Sequence, residues 1–440
     1  MMLDGSPYQG YLYAYPHKTA YRRLEPRPAL KDVWRDEPRD GLFLYVHVPF
    51  CEMRCGFCNL FTRARPPAEQ VSAYLRQLRV QAEEVASAVG PAAYARAAFG
   101  GGTPTYLTAA ELADLFAVTE DVLGLRPAAA GLSVETSPAT ATPDRLEILA
   151  AHGTQRVSIG VQSFLDTEAH AAGRPQHRED VDRALDALRA AGFPMLNLDL
   201  IYGIPGQTAD TWDYSLRTAL GWRPEELFLY PLYVRPLTGL GRRGAPDGPD
   251  DEWDRQRLDL YRQGRDLLLA AGYRQLSMRH FRRADVADPG GPDYCCQDDG
   301  MIGLGCGARS YTRDLHYSFD YAVGIAEVRG IIEDYLDRPA GDFAYAEVGF
   351  ALDEREQRLR WLVKTLLRTD GLDAAAYRAR FGTEPGADHP HLGELEDRGW
   401  AAWDGDRLAL TPEGVGRGDQ IGPWLISDTV RAAMTGAAVR

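Results

Sequence analysis

Phe43-Leu-Tyr-Val-His-Val48-Pro-Phe-Cys51-Glu-Met-Arg-Cys55-Gly-Phe-Cys58 is the stretch whose reading decides the fold. Its first six residues, bulky and β-branched, predict a strand. The loop that follows carries three thiols spaced by three and by two residues, and these can converge on one inorganic centre. Thiolates of this kind hold iron–sulfur clusters, and a [4Fe–4S] cluster bound by three cysteines keeps one iron open. The alternative is a zinc site. Zinc takes four closed ligands, and the nearest further donor, His47, lies on the strand itself. The triplet therefore reads as a cluster site, with Cys51, Cys55 and Cys58 as ligands.

Outward from this loop, strand and helix alternate. A helix over 68–88 carries Val71, Tyr74, Leu75, Leu78, Ala82 and Val85 at helical spacing. Strand 95–99 then precedes helix 109–123, and strand 131–135 precedes a helix opened by Thr142-Pro143, a cap followed by proline. Strand 156–160 leads to helix 179–191, strand 195–202 to helix 209–220, and a sixth strand covers 226–234. Six strand–helix units with short loops predict an α/β fold, a parallel sheet curled by right-handed crossovers into a partial (β/α)6 barrel. Residues 1–40, aromatic and aperiodic, read as an N-terminal extension wrapped over the barrel of residues 41–235.

The Gly/Pro/Asp-rich stretch 236–251 breaks the pattern, and a helix over 253–271 and a strand near 273–277 follow. Residues 236–350 are expected to form an accessory segment closing the open side of the barrel. A further boundary lies near Ala351. Asp353 with Glu356 resembles a capping box, and Leu359, Leu362, Val363 and Leu366 form a buried stripe. Short helices over 373–381 and 392–398 and a hairpin turning at Asp404-Gly405 make residues 351–440 a winged-helix-like α+β module. Glu394, Glu396 and Asp397 on its third helix form a poor surface for phosphates, so a lid or docking role is expected.

Composition narrows the function classes. The chain has 440 residues, 45% of them apolar, and 49 basic against 63 acidic residues give a net charge of −14. That balance argues against general nucleic-acid or anionic-membrane binding. No window approaches the ~18 apolar residues of a membrane helix. The start of the chain lacks a signal-peptide pattern, and the location expected is cytoplasmic. Cys295, Cys296 and Cys306 match no common cluster framework and read as structural thiols, with no second cluster. The run Met278-Arg-His-Phe-Arg-Arg283 is either solvated surface or, with Arg235 and Arg309, a pocket for an anionic ligand.

The chain resembles the radical S-adenosylmethionine (SAM) superfamily, and within it enzymes like oxygen-independent coproporphyrinogen III oxidase. The likeness runs through Tyr45-Val-His-Val-Pro-Phe-Cys51, Gly100-Gly-Gly-Thr-Pro-Thr105, Ser158-Ile-Gly-Val-Gln-Ser-Phe164, Asp199-Leu-Ile-Tyr-Gly-Ile-Pro-Gly-Gln207 and Gly303-Leu-Gly-Cys-Gly-Ala-Arg-Ser310. It implies that the open iron chelates SAM, and that an electron from the reduced cluster yields methionine and a 5′-deoxyadenosyl radical. By the same resemblance Gly101, Gly102 and Thr103 contact the methionine part of SAM. Glu135, Gln162 and Asp199 supply polar contacts, Arg174 meets the carboxylate, Tyr45 lies under the cofactor and Phe57 offers its backbone to the adenine. An electron donor such as flavodoxin or ferredoxin is implied as a partner.

Two features differ from the relatives the resemblance names. Coproporphyrinogen oxidases proper carry another cysteine two residues beyond the third ligand, where this chain has Cys58-Asn59-Leu60. The haem-chaperone branch has an aspartate after the triplet and a His-Asn…Tyr-Trp stretch, where this chain has Asn59 and Tyr294-Cys-Cys-Gln-Asp-Asp-Gly300. A changed substrate follows: a small anionic molecule rather than a porphyrinogen, held by Tyr233, Arg279, His280 and Arg309. Related methyltransferases bind two SAM molecules, and Arg309 aligns near the second. The alternatives are anaerobic coproporphyrinogen oxidation and, outside catalysis, haem binding or delivery on the same scaffold.

Overall fold

The computed structural model describes residues 3–243, 250–287 and 299–435. Six parallel strands stand side by side in chain order: β1 Leu42–Val48, β2 Tyr94–Gly101, β3 Ser133–Thr136, β4 Arg156–Gln162, β5 Met195–Tyr202 and β6 Glu226–Pro231. Five helices make the crossovers: α1 Ala68–Val89, α2 Ala109–Ala117, α3 Pro143–Ala151, α4 Arg178–Ala191 and α5 Ala209–Gly221. Every residue of the expected apolar stripe on α1 is buried. The second helix is shorter than its periodicity suggests, because Val118–Val122 widens into a π-turn where Thr119 Oγ1 donates back to Leu115 and Phe116.

Each strand has one face against the helices, where Leu44, Val46, Phe99, Val134, Ile159, Leu198 and Leu229 are wholly buried. The alternate residues face the lumen. Register aligns Glu135 with Ser158, Gly160 with Asp199, and Asp199 with Phe228, so a polar row crosses the inner wall. Glu135 is solvent-exposed although it sits mid-sheet, so the lumen is open to water.

Residues 236–350, expected across the open side, divide between the two sheet edges. Strand Met301–Leu304 pairs parallel with β1, and Arg309–Tyr311, Leu315–Ser318 and Val348–Ala351 continue antiparallel from it. At the other edge, His280–Arg283 pairs antiparallel with β6, followed by Tyr273–Gln275. The described residues thus form a 13-stranded sheet. The strands between 301 and 351 are three or four residues long, too short for a period-2 signal to stand out.

The N-terminal extension is fastened rather than loose. Arg22–Arg23 adds the outermost strand, on Val348–Gly349, and Tyr15 and Trp34 are among the most deeply buried side chains. In the C-terminal part, Asp353 caps helix Glu354–Leu366, but Glu356 does not close the box, because its carboxylate accepts from the Tyr15 hydroxyl. Strands Leu372–Asp373, Arg407–Leu410 and Ala401–Asp404 form a small separate sheet. Two further helices, Gly418–Trp424 and Asp428–Thr435, had no distinct sequence signal. No described helix is long and apolar enough to cross a membrane.

Candidate functional site

The cysteine loop leaves β1 at the C-terminal rim of the sheet, where parallel α/β folds place their ligands. A two-residue pairing, Phe50↔Arg63 and Cys51↔Ala64, clamps its ends. Its middle is pinned at Gly56, whose N–H donates to Gly173 (2.9 Å) and whose carbonyl accepts from Leu240 (2.8 Å). A Cβ on Gly56 would stand 2.8 Å from the Ala172 carbonyl, so glycine is required there. Thr103 Oγ1 donates to Cys51 Sγ and Arg174 Nη1 to Cys55 Sγ, each at 3.6 Å, and Thr62 Oγ1 lies 4.0 Å from Cys58 Sγ.

All three thiols are free and partly accessible. Burial, reinforced by the neighbouring Cys58 and Cys55 sulfurs, pushes Cys51 up to about 12, and burial likewise raises Cys58. A positive metal centre is what would turn such a set into thiolates. His47 is committed elsewhere. Its Nε2 lies 2.9 Å from the Phe61 carbonyl, which can only accept, so Nε2 carries the proton and Nδ1 accepts from Tyr45 Oη at 3.2 Å. Three thiols on one clamped loop, without a histidine to complete a tetrahedron, fit a [4Fe–4S] cluster. Cys306 is buried beside Tyr74 with its thiol pushed up by burial, while Cys295 and Cys296 lie outside the described residues.

The side chains expected around SAM line the adjoining rim and lumen. In the glycine run the N–H groups are spent within the protein: Gly101 on Glu135 Oε2 (3.1 Å), Gly102 on Val48 (2.7 Å) and Thr103 on Phe50 (2.8 Å). A ligand there would meet carbonyls and Cα atoms. Gly102 itself lies close against the start of the cysteine loop, since a Cβ would fall 2.5 Å from the Phe50 carbonyl. Gln162 adopts φ +69° at a bulge against β5 and folds its amide over Gly160. A non-glycine residue in this conformation is strained, and the bulge turns its side chain from the regular strand direction.

Arg174 donates from Nε to Gln176 (2.7 Å) as well as to Cys55. Asp199 accepts from Asn197 (2.7 Å) and Ser158 (3.3 Å). Although Glu135 keeps surface open to the lumen, the barrel wall packed around it and then the Asp199 charge raise it to about 7, and burial raises Asp199 to about 6. Tyr45 faces the lumen beside His47, and Phe57 packs its ring on the apolar group of Ala172, Ile201 and Ile204.

The four residues expected to hold substrate separate. His280 lies deep in the lumen, stacked on Phe228 (4.4 Å) with Nε2 2.9 Å from Glu226 Oε1. Arg156 and Arg282 converge on the same carboxylate, at 2.8 and 2.9 Å. Burial would raise Glu226, yet Arg156 and His280 hold it well below the usual range. Arg279 is ion-paired with the buried Asp419, which also accepts from Tyr233. Of the four, Arg309 alone has no carboxylate partner among the described residues, its Nη1 donating to Tyr13 Oη at 3.0 Å. Tyr13 and its neighbour Lys18 come from the N-terminal extension. Sequence reasoning missed them because an aperiodic segment carries no sign of where it docks.

Comparison with known proteins accords with this geometry. Residues 45–219 match the Radical SAM superfamily, and residues 352–415 match the HemN C-terminal domain. The oxygen-independent coproporphyrinogen III oxidase of Salmonella typhimurium is 31% identical over 327 residues, covering 70% of either chain. This chain belongs to that family of radical SAM proteins. The family also takes in the heme chaperone HemW of Bacillus subtilis, 27% identical over 86% of this chain and 97% of that one. The Escherichia coli coproporphyrinogen III oxidase (HemN) superposes with a TM-score of 0.78 at 24% identity, over 94% of this chain and 96% of that one, and so shares the fold. The cofactors of the family are a [4Fe–4S] cluster and SAM.

Proposed function

We propose that this radical SAM protein is an enzyme acting on a small anionic substrate at the C-terminal rim of its barrel. The observation that carries the reading is the juxtaposition of three free cysteines, an open acidic lumen at Glu135 and Asp199, and Arg309 with no carboxylate partner among the described residues. Cys51, Cys55 and Cys58 would hold the cluster. Asp199 and Glu135 would face the cationic parts of SAM, and Arg174 its carboxylate. When bound, cluster and SAM supply a carbon-centred radical that abstracts hydrogen from whatever carbon is held against it. The chain's own residues then decide the reaction by what they hold there.

The test is anaerobic reconstitution with dithionite or flavodoxin as the electron donor. SAM should yield 5′-deoxyadenosine, and coproporphyrinogen III should not be decarboxylated, because the loop has Asn59-Leu60 where the oxidases have a further cysteine. Catalytic conversion of coproporphyrinogen III would overturn the substrate reading in favour of the oxidase. One or two SAM per chain, measured by equilibrium dialysis, separates hydrogen abstraction alone from methyl transfer. The HemW relatives support a second reading, haem delivery. Stoichiometric haem binding without deoxyadenosine formation would establish it.

A further inference from the structure

On its outer side the cysteine loop is seamed to residues 321–336. Helix Ile325–Leu336 packs on the short strand Arg63–Ala64. The Tyr321 hydroxyl donates to the Asn59 carbonyl at 3.1 Å, its ring centre lies 5.9 Å from that of Phe61, and Arg54 donates to the Val323 carbonyl. Among the described residues three large aliphatic side chains are exposed, and two of them stand along this seam, Leu60 at 47% and Ile325 at 53%. Leu60 is two residues from Cys58, and two residues of chain span at most about 7 Å. Elsewhere the loop is held inward: Gly56 bonds Gly173 and Leu240, and the Cys51 and Cys55 sulfurs meet Thr103 and Arg174.

The uncommitted charge along the seam is positive. Arg63, Arg65 and Arg329 form no ion pair among the described residues, in a chain with a net charge of −14. Arg65 Nε donates to the Glu52 carbonyl at 3.0 Å, and Arg63 Nη1 has no hydrogen-bond partner. Of the acids on the helix, Glu327 lays its carboxylate back against Gly324, and Glu333 faces Arg63 without closing an ion pair. The lumen on the opposite side of the loop is acidic, at Glu135 and Asp199.

Resting on the radical SAM reading, we infer that the seam of Leu60 and Ile325, flanked by Arg63, Arg65 and Arg329, is the docking surface for an acidic one-electron carrier protein that reduces the cluster from outside the barrel. Exposed aliphatic groups beside unpaired arginines complement an acidic protein surface that carries an apolar centre. The acidic lumen repels the same partner, which leaves that side of the loop to SAM and substrate. The carrier gives up one electron and the cluster takes it up, and no proton or group changes place.

The probes are flavodoxin and ferredoxin, each titrated calorimetrically in oxidised form into the cluster-loaded full-length protein. Bleaching of the cluster absorbance then follows reduction by the reduced carrier. Arg329→Glu and Ile325→Glu should each weaken carrier binding about tenfold or more and slow bleaching to match, while bleaching by dithionite keeps its wild-type rate. Arg183→Glu, exposed on α4, makes the same change of net charge as Arg329→Glu and should bind the carrier as the wild type does. Added salt should weaken wild-type binding and narrow the gap to Arg329→Glu. A wild type that binds neither carrier, or one affinity shared by all three variants, overturns the proposal. Altered sedimentation of the seam variants with unchanged carrier binding gives the surface to a second copy of this chain, and overturns it too. Binding is read without turnover, so its failure is distinct from that of the enzyme reading, which fails if dithionite yields no deoxyadenosine.

Discussion

The basic side chains about the lumen fall into two regions. On the floor, Arg156, Arg282 and His280 share Glu226, and towards the C-terminal helices Arg279 is sealed against Asp419 with side-chain exposures of 5% and 2%. At the rim by the cysteine loop, Lys18, Arg54, Arg235 and Arg309 lie against tyrosines and carbonyls, with no acid in ion-pair range among the described residues. The contrast teaches that charge alone does not mark a ligand site. A buried arginine matched by a carboxylate has its electrostatic demand met and serves the fold. One left beside a hydroxyl has capacity for an incoming anion.

The comparison breaks first at the cysteines. The triple variant Cys51/Cys55/Cys58→Ala should lose all cluster iron and the brown absorbance, against about four irons per wild-type chain. Iron near twice that amount would reveal a second cluster, for which Cys306 is placed poorly by its burial.

Asp419→Ala tests the matched region. Stranding Arg279 should cost about 3–5 kcal/mol in a denaturant titration. Arg309→Ala should cost less than about 1 kcal/mol while reducing product formation more than uncoupled SAM cleavage. Equal stability losses in the two variants would erase the distinction between the regions.

Asp199→Ala and Arg174→Ala should each weaken SAM binding by roughly 1.5–3 kcal/mol by calorimetry, with the cluster retained. Unchanged affinity in both would remove them from the SAM site.

The smallest effect is a pH dependence. With Asp199 at about 6 and Glu135 at about 7 in the free protein, both carboxylates bind protons near neutrality. The sulfonium and ammonium of SAM favour their ionised forms, so binding releases protons and affinity rises as pH climbs through 6 and 7, then levels. Glu135→Gln should remove the upper part of that rise. An affinity independent of pH in the wild type would show that neither carboxylate faces the cation.

Much of the barrel was legible because its signals are local. The stripe on α1 and the span Met195–Tyr202 follow from periodicity within a single element. The strands beyond residue 300 and helix Gly418–Trp424 are short, and the helix contains Pro423, so neither offers a period to read. Within the candidate site, Arg279, His280 and Arg309 look alike in the sequence: basic residues near aromatic ones. Their difference lies in Asp419, Glu226 and Tyr13, each contributed by a distant segment.

By itself, the sequence determined the parallel α/β architecture and the triplet of candidate cluster thiols, because strand period, helix period and thiol spacing are properties of neighbouring residues. Only the tertiary structure decided which charges are matched. That depends on which segments pack together, and the N-terminal extension brings Tyr13 to Arg309 with no periodic pattern to announce it.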